Sequence, residues 1–422
     1  MLDLKFIREN PEKVRAGLAA KNERRSIDEI LQLDLRRRQL IQEADALKEK
    51  RNKVGMEVAR LKKEKQDASP IIADMKVVSD KISAFDTERR GVEEKIEEQL
   101  LWIPNLPHPS VPVAQDESGN IEVRSWGKKP DFKFAPAPHW ELGEKLGILD
   151  LAGAAKISGA GFIAFTGWGA KLERALINFM LDLHTQKHQY REISPPFLVN
   201  RASMFGTGQL PKLEEDMYQL KEDDLFLIPT AEVPLTNLFR DEIIAGEKLP
   251  VYVTAYTPCF RREAGTYGKE TRGITRVHQF DKVELVKIVR PESSYEELES
   301  LVKNAEAVLQ ALELHYRVRL LATGDMSFAS AKTYDLEVWA PGMGMYLEVS
   351  SCSNFEDFQA RRMNLRFRPS PDAKPEYPHT LNGSALAMPR TVIALLEQFQ
   401  TEAGTVKVPE VLVSYLGTKE LL

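Results

Sequence analysis

With 422 residues, 43% hydrophobic and 29% charged, the chain has room for two or three domains and a large core of ordinary globular composition. A formal charge of −5 argues against wholesale coating of nucleic acid, so any RNA contact has to come from local basic patches, and DNA is not an expected partner. No apolar run approaches the roughly 20 residues that span a bilayer, and Cys259 and Cys352 stand far apart without companion ligands, so the expectation is a cytoplasmic protein with no membrane partner, no disulfide framework and no zinc.

Residues 2–25 predict a short helical piece with Pro11 in a first turn. Leu33, Leu40, Leu47, Val54 and Leu61 then recur every seven residues, interleaved with Ile30, Arg37, Ala44, Arg51 and Val58, a heptad seam with two Arg intrusions. After a break at 67–70 a second seam runs through Ile71, Met75, Val78, Ile82, Phe85, Arg89, Val92 and Ile96. Together they predict an antiparallel coiled-coil hairpin. A helix over 28–66 would be about 58 Å long at 1.5 Å per residue, which predicts a projecting arm. Its distal stretch carries Arg51, Lys53, Arg60, Lys62, Lys63 and Lys65 against Glu57 and Glu64. Such a stripe is either the solvated face of a coil or dimerisation arm, or a contact for a phosphate backbone.

Pro104, Pro107, Pro109 and Pro112 end the coil in a stiff linker, which places a boundary between 1–103 and 104–422. Residues 159–164 match a dinucleotide fingerprint superficially, but no strand–turn–helix unit surrounds them and no acidic residue follows at the right distance, so that match is rejected. Helical spacing over 169–189 runs into a Pro-broken strand at 194–199. Residues 225–235 predict an apolar strand ending in Thr230, Ala231 and Glu232, which taken alone are edge and cap groups. A strand over 251–260 ends in Arg261, Arg262 and Glu263, followed by a polar Gly-punctuated loop and a second strand through Val283, Leu285 and Val286. This hairpin holds charge at its mouth. An Arg and a Glu two residues apart on one face suit a ligand with anionic oxygens and a donor-rich base, as ATP has; the alternative is a surface hairpin with solvated charges. Further on come a helix over 292–314, strands over 316–321, 333–339 and 346–353, and a strand from His379 that opens into an amphipathic helix at Arg390.

The order of these pieces resembles the class II aminoacyl-tRNA synthetases, and among them the bacterial-type seryl-tRNA synthetases, over essentially the whole chain. Phe260-Arg261-Arg262-Glu263 with its closing strand resembles motif 2. The helix and broken strand of 169–199 resemble motif 1, residues 205–211 the family's Gly-Thr-Gly loop, and residues 379–397 motif 3, although Ala385 and Met388-Pro389 stand where many members carry a Gly-rich run. The resemblance implies an α+β fold: an N-terminal antiparallel α-helical coiled-coil arm that binds tRNA, and a class II catalytic domain built on an antiparallel β-sheet flanked by helices, homodimeric through motif 1. It implies ATP-dependent activation of L-serine to seryl-adenylate and transfer to tRNA(Ser), with tRNA(Sec) open as a second substrate, and the use of Mg²⁺.

By the same resemblance, Thr230, Ala231, Glu232, Arg261, Glu284 and Ser384 bind serine. Arg261, Arg262, Glu263, Val277, Phe280, Glu348, Val349, Ser350, Ser351 and Arg390 bind ATP, and Glu348 and Ser351 reach the Mg²⁺. Arg261, Glu263 and Arg390 are the implied catalytic residues, and Arg51, Lys53, Arg60, Lys62, Lys63 and Lys65 the implied tRNA contacts. Two other classes stay open. One is a non-catalytic, synthetase-like protein that binds RNA or a partner through the arm, which the intact polar set disfavours; the other is an amino acid to carrier-protein ligase on the same catalytic domain, which has no need of the arm.

Overall fold

The computed structural model describes residues 1–263 and 272–422, so most of the Gly-punctuated loop expected after Glu263 lies outside the described residues. Packing divides the chain into two units, one of Met1–Ala19 and Glu23–Pro104, the other of Ala20–Asn22 and Asn105–Leu422.

In the first unit two short helices, Leu4–Glu9 and Pro11–Ala20, precede two long ones, Asp28–Lys63 and Ser69–Leu100. Asp3 caps the first helix by accepting from the Phe6 N–H, and Pro11 opens the second, where a missing N–H costs nothing. The long helices are antiparallel: the link between them is short, and Arg36 meets Glu88 at 2.7 Å while Lys48 meets Asp86 at 3.6 Å. At 36 residues the first is about 54 Å long. Its buried Ile30, Leu40 and Ala44 face a seam of Val78, Ile82, Val92, Ile96 and Leu100 on the second. Arg37 enters that seam by pairing with the buried Asp34 at 2.8 Å. Arg51, expected in the same register, is exposed instead; with no buried carboxylate to receive it, a guanidinium turns its charge to water.

Among the described residues, the second unit carries an eight-stranded sheet. In chain order its strands are β1 (Ile121–Trp126), β2 (Arg191–Glu192), β3 (Val251–Phe260), β4 (Gln279–Val289), β5 (Tyr316–Leu320), β6 (Lys332–Ala340), β7 (Met345–Asn354) and β8 (His379–Ala387). They lie side by side as β1-β5-β6-β7-β8-β4-β3-β2, antiparallel throughout except at the short β2–β3 edge. The expected hairpin is β3–β4, in register from Val251 opposite Ile288 to Phe260 opposite Gln279. Helices Trp168–Gln186, Ser294–Ala311 and Met388–Gln398 cover the sheet with their apolar stripes: Leu172, Leu176 and Met180, then Leu298, Leu301 and Leu309, then Val392, Leu395 and Leu396 share one core with Val283, Leu285, Leu336 and Val338. Among the described residues no helix is long and apolar enough to cross a membrane.

Two expected strands are broken by proline. The run 225–235 is extended only over Leu225–Leu227, in a separate three-stranded sheet, and Glu232 opens a helix, Glu232–Asn237. Pro229 has no N–H for a ladder, and Pro234 suits the first helical turn. The Pro-broken strand expected over 194–199 is extended only from Leu198, in Leu198–Asn200 of the small sheet, while Arg191–Glu192, before Pro195 and Pro196, joins the large one.

Candidate active site

The pocket is built around the end of β3. The Phe260 N–H donates to the Ile228 carbonyl at 2.8 Å and Arg261 Nε to the Pro229 carbonyl at 3.3 Å, which pins the segment leading to Glu232 beside the hairpin mouth. Glu263, at φ +48°, takes the left-handed conformation that turns the chain out of the strand line, and its carboxylate meets Arg276 at 3.3 Å. Two cavities meet here. The larger, about 510 Å³, is lined by Gln209, Thr230, Glu232, Glu284, Asn382 and Ser384 among others. The smaller, about 160 Å³, is lined by Thr275, Arg276, Val277, Phe280, Val349, Pro389 and Arg390 among others. Arg261, Glu263, Lys282, Glu348 and Ser384 line both and so form their common wall.

In the larger cavity the β4–β8 register sets Ser384 opposite Glu284. Glu284 Oε2 accepts from Thr230 Oγ1 at 3.3 Å and from Ser384 Oγ at 3.5 Å. Lys282, two residues before Glu284 and therefore on the same face of β4, forms an ion pair with it, and its Nζ donates to Thr230 Oγ1 at 2.9 Å. Glu232 is buried as well. It accepts from Gln359 Nε2 at 2.6 Å and from Gln209 Nε2 at 3.4 Å, while Gln359 is itself oriented by Thr380 at 2.7 Å. Burial and the charge of Glu284 push the Glu232 carboxyl up to about 7, against the partial opposition of Gln359 and Lys282. Two carboxylates and two hydroxyls in so small a space suit a ligand that brings an ammonium and a hydroxyl.

In the smaller cavity the Arg261 guanidinium lies 5.1 Å from the centroid of the Phe280 ring. Arg390 donates from Nη1 to the Glu348 carbonyl at 2.7 Å and from Nε to the Thr275 carbonyl at 3.2 Å, and it stands 3.5 Å from the Glu348 carboxylate. The β8 register slips between Ser384 and Leu386, so Ala385 is the extra residue of a bulge, and the helix begins at Met388 with Pro389 in its first turn. The strand-to-helix turn that presents Arg390 is thus made without a Gly-rich run. A buried histidine braces this side. His139 Nδ1 lies 3.0 Å from Glu397 Oε1, and its Nε2 accepts from the Ile274 N–H at 3.2 Å, so Nδ1 carries the proton. Gly273, at φ +73°, has to be glycine, because a Cβ there would collide with His139 Nε2. The stretch before Val277 is thereby tied to the helix that carries Arg390.

β7 supplies hard oxygens to the larger cavity: Glu348, which lines both cavities, and Ser351, which lines the larger one alone. Opposite Ser351 in the ladder stands Asp335, whose Oδ1 is buried without a hydrogen-bond partner, and burial together with the Glu348 charge holds its carboxyl well above the usual range. Hard oxygens on the cavity wall, with a second carboxyl behind them at Asp335, suit a cation that keeps water and phosphate oxygens in its shell.

Of the sequence-derived residues, the cavities gather Thr230, Glu232, Arg261, Glu263, Val277, Phe280, Glu284, Glu348, Val349, Ser351, Ser384 and Arg390. Ala231, Arg262 and Ser350 lie outside both linings. Ala231 is fully buried, Arg262 Nη1 donates to the Glu215 carbonyl at 3.1 Å, and Ser350 Oγ donates to the Ser384 carbonyl at 2.6 Å. Lys282, Gln209, Gln359, Asn382 and His139 were not legible as site residues in the sequence. Lys282 alone carried a signal, a lysine alternating with Glu284 inside an apolar strand. In the first unit Arg51, Lys53, Arg60, Lys62, Lys63 and Lys65 are all exposed, with Lys53 paired to Glu49 at 2.7 Å.

Known proteins resemble this chain over its whole length. The family model for the seryl-tRNA synthetase N-terminal domain matches residues 1–107, and that for the tRNA synthetase class II core domain (G, H, P, S and T) matches residues 213–399. The serine–tRNA ligase of Carboxydothermus hydrogenoformans is 55% identical over 421 residues, 100% of this chain and 99% of that protein. That of Geobacillus kaustophilus is 56% identical over 423 residues, 100% of both. Among solved structures, seryl-tRNA synthetase from Pyrococcus horikoshii complexed with ATP matches with a TM-score of 0.96 at 40% identity, over 100% of this chain and 99% of that one. Likeness at this level, over the whole length of both chains, means that the chain belongs to the seryl-tRNA synthetase family of class II aminoacyl-tRNA synthetases.

Proposed function

We propose that the chain activates L-serine with ATP to seryl-adenylate and transfers the seryl group to tRNA(Ser), as a cytoplasmic homodimer. The observation that carries this reading is Arg261, which stands on the wall shared by a cavity fit for a hydroxylated ammonium compound and a cavity with an aromatic face.

In this reading the serine ammonium meets Glu232 and Thr230, and its hydroxyl meets Glu284 and Ser384. Adenine lies against Phe280, its amino edge toward Glu263 and the Val277 backbone, with Arg390 over the ring or the γ-phosphate. The Arg261 guanidinium holds the serine carboxylate and the α-phosphate together. A carboxylate oxygen attacks the α-phosphorus; that bond forms as the bond to the bridging oxygen of the β-phosphate breaks, and pyrophosphate leaves with the electron pair. No proton moves, so no protein base is required, and the chain contributes alignment and charge neutralisation. The terminal ribose hydroxyl of the tRNA then attacks the seryl carbonyl carbon; the ester bond forms as the bond from that carbon to the phosphate oxygen breaks, AMP leaves with the electron pair, and the hydroxyl proton passes to the departing phosphate. Mg²⁺, which Glu348 and Ser351 would hold, neutralises phosphate charge when bound. Ala231 and Val349 support the site through the backbone and Ser350 through its hydroxyl on the Ser384 carbonyl, whereas Arg262 reaches ATP only by releasing Glu215.

Residues 1–103 are read as the tRNA-binding arm, with Arg51, Lys53, Arg60, Lys62, Lys63 and Lys65 on the phosphate backbone, residues 104–422 as the catalytic domain, and helix Trp168–Gln186 as part of the dimer face. Pyrophosphate exchange tested across the twenty amino acids should respond to serine and depend on Mg²⁺. Arg261→Ala should lower it by about 10²–10³ with circular dichroism unchanged. Near-normal exchange in that folded variant sinks the assignment; exchange without charging of any tRNA would favour the carrier-protein ligase. Charging assays with tRNA(Ser) and tRNA(Sec) in parallel decide the scope of the second step.

A further inference from the structure

Lys282 has no part in the reading above, yet no cation lies deeper in the amino-acid cavity among the described residues. It is 5% exposed and its ion-pair partner Glu284 is 2% exposed. β4 places both on one face, and the Lys282 ammonium is shared between Glu284 and Thr230, the same hydroxyl that also reaches Glu284. A solvated lysine would have no such constraint. A buried one is held only by the charges it answers.

Charge counting shows what it answers. Glu232 and Glu284 both face the cavity, and Lys282 is the buried ammonium between them and the nucleotide side. Around the two carboxylates stand Thr230, Gln209, Gln359 from helix Phe358–Arg362, and Asn382 and Ser384 from β8. Asp216, Glu263 and Glu348 also line this cavity, Glu263 paired with Arg276 at 3.3 Å and Glu348 with Arg390 at 3.5 Å, while burial pushes the thiols of Cys259 on β3 and Cys352 on β7 up, so they stay neutral. The Arg261 guanidinium, at the end of β3, is committed to the common wall. Within the buried cluster of Glu232, Glu284 and Lys282, two carboxylates and one ammonium leave one negative charge, the complement of a single α-ammonium.

We propose that Lys282 is a positioning residue of the amino-acid site: its buried ammonium holds Glu284 toward Thr230 and Ser384 and cancels one of two carboxylate charges, so that the site offers one uncompensated negative charge to the substrate. This rests on the serine-activation reading. It makes the charge state of Glu232, and not the shape of the cavity alone, the condition for serine to bind. Without the Lys282 cation, two like charges would share one dry site, and the Glu232 carboxyl, already raised by burial and by Glu284, would be raised further.

The test is the pH profile of kcat/KM for serine in pyrophosphate exchange, measured in the full-length wild type, Lys282→Gln and Lys282→Arg. Glutamine can still donate a hydrogen bond to Glu284 and Thr230, so it removes the charge and little else. In Lys282→Gln the acid limb should move up by about one pH unit or more, the usual consequence of losing an opposite charge at close range, and the loss at pH 7 should be partly recovered on raising the pH. Lys282→Arg should keep the limb where the wild type has it, whatever its rate. An unmoved limb in Lys282→Gln overturns the proposal; if that variant does not fold, a displaced limb in Lys282→Arg overturns it instead. Absence of serine-dependent exchange in the wild type would defeat the activation reading itself, a result distinct from either.

Discussion

Asp34 in the arm and Glu232 beside the sheet are both buried carboxylates, and their surroundings move them in opposite directions. Asp34 accepts from Arg8 at 2.9 Å and Arg37 at 2.8 Å, with Arg38 at 3.2 Å. Burial raises its carboxyl, but the hydrogen bonds from Arg37 and Arg8 outweigh that and leave it below the ordinary range. Glu232 has amide donors and a second carboxylate for neighbours, and rises to about 7. The arm answers its buried charge within the chain. The pocket leaves one short of a cation, and that shortfall is what a substrate ammonium can fill. A charge fully answered by its own fold stabilises structure; one left unanswered at a cavity serves binding.

The largest effect is expected from Glu232→Gln, which removes the unanswered charge. Removing one member of a buried ion pair with substrate costs about 3–5 kcal/mol, so kcat/KM for serine should fall by about 10²–10⁴. The wild-type profile should rise with pH through about 7, because below that value Glu232 is protonated and cannot receive an ammonium. That limb should vanish in Glu232→Gln while KM for ATP holds; a limb that survives belongs to another group.

Asp34→Ala is the matching change in the arm. It leaves Arg8, Arg37 and Arg38 without their shared acceptor, and a cost of about 1–3 kcal/mol is expected, read as faster amide hydrogen exchange across Asp28–Lys63. Serine-dependent exchange should be untouched. The sign with pH follows from the lowered carboxyl: its stabilisation is present above the unfolded value of about 4 and is lost as pH falls through the folded value. Protection of the arm should therefore collapse on acidification in the wild type and change little in the variant. Equal acid sensitivity in both would mean that Asp34 does not hold the arm.

The smallest effect on the fold, and the most selective on function, is expected at the distal basic stripe. Replacing Arg60, Lys62, Lys63 and Lys65 by Gln should change stability by no more than about 0.5 kcal/mol, as for exposed side chains in general. The KM for tRNA should rise, and its logarithmic salt slope should flatten by about 0.7–0.9 for each phosphate that is no longer neutralised. KM for serine should not move. An unaltered tRNA KM would leave the stripe as the solvated face of a coil.

The residues that resisted sequence reading share a physical reason. Gln209, Gln359 and His139 lie on short helices and loops where no period distinguishes a pocket-facing side chain from any other, and each becomes functional only through a partner far along the chain, Glu232 for the glutamines and Glu397 for the histidine. Arg51 failed in the other direction. Its heptad position was right for a seam residue, but no carboxylate like Asp34 stands there to draw it inward.

By itself the sequence determined what repeats or alternates: the two seams of the arm, the β3–β4 hairpin, the helix opened by Pro389, and the order of motifs that identifies the family, because these depend on neighbours three, four or two residues away. Only the tertiary structure decided the electrostatics of the site. Ser384 faces Glu284 across a strand ladder, Thr230 arrives on a segment held by Arg261, and Lys282 and Glu232 close the charge balance from different elements. Burial and counter-charge are properties of that assembled space, so the same carboxylate is a structural anchor in one place and a substrate receptor in another.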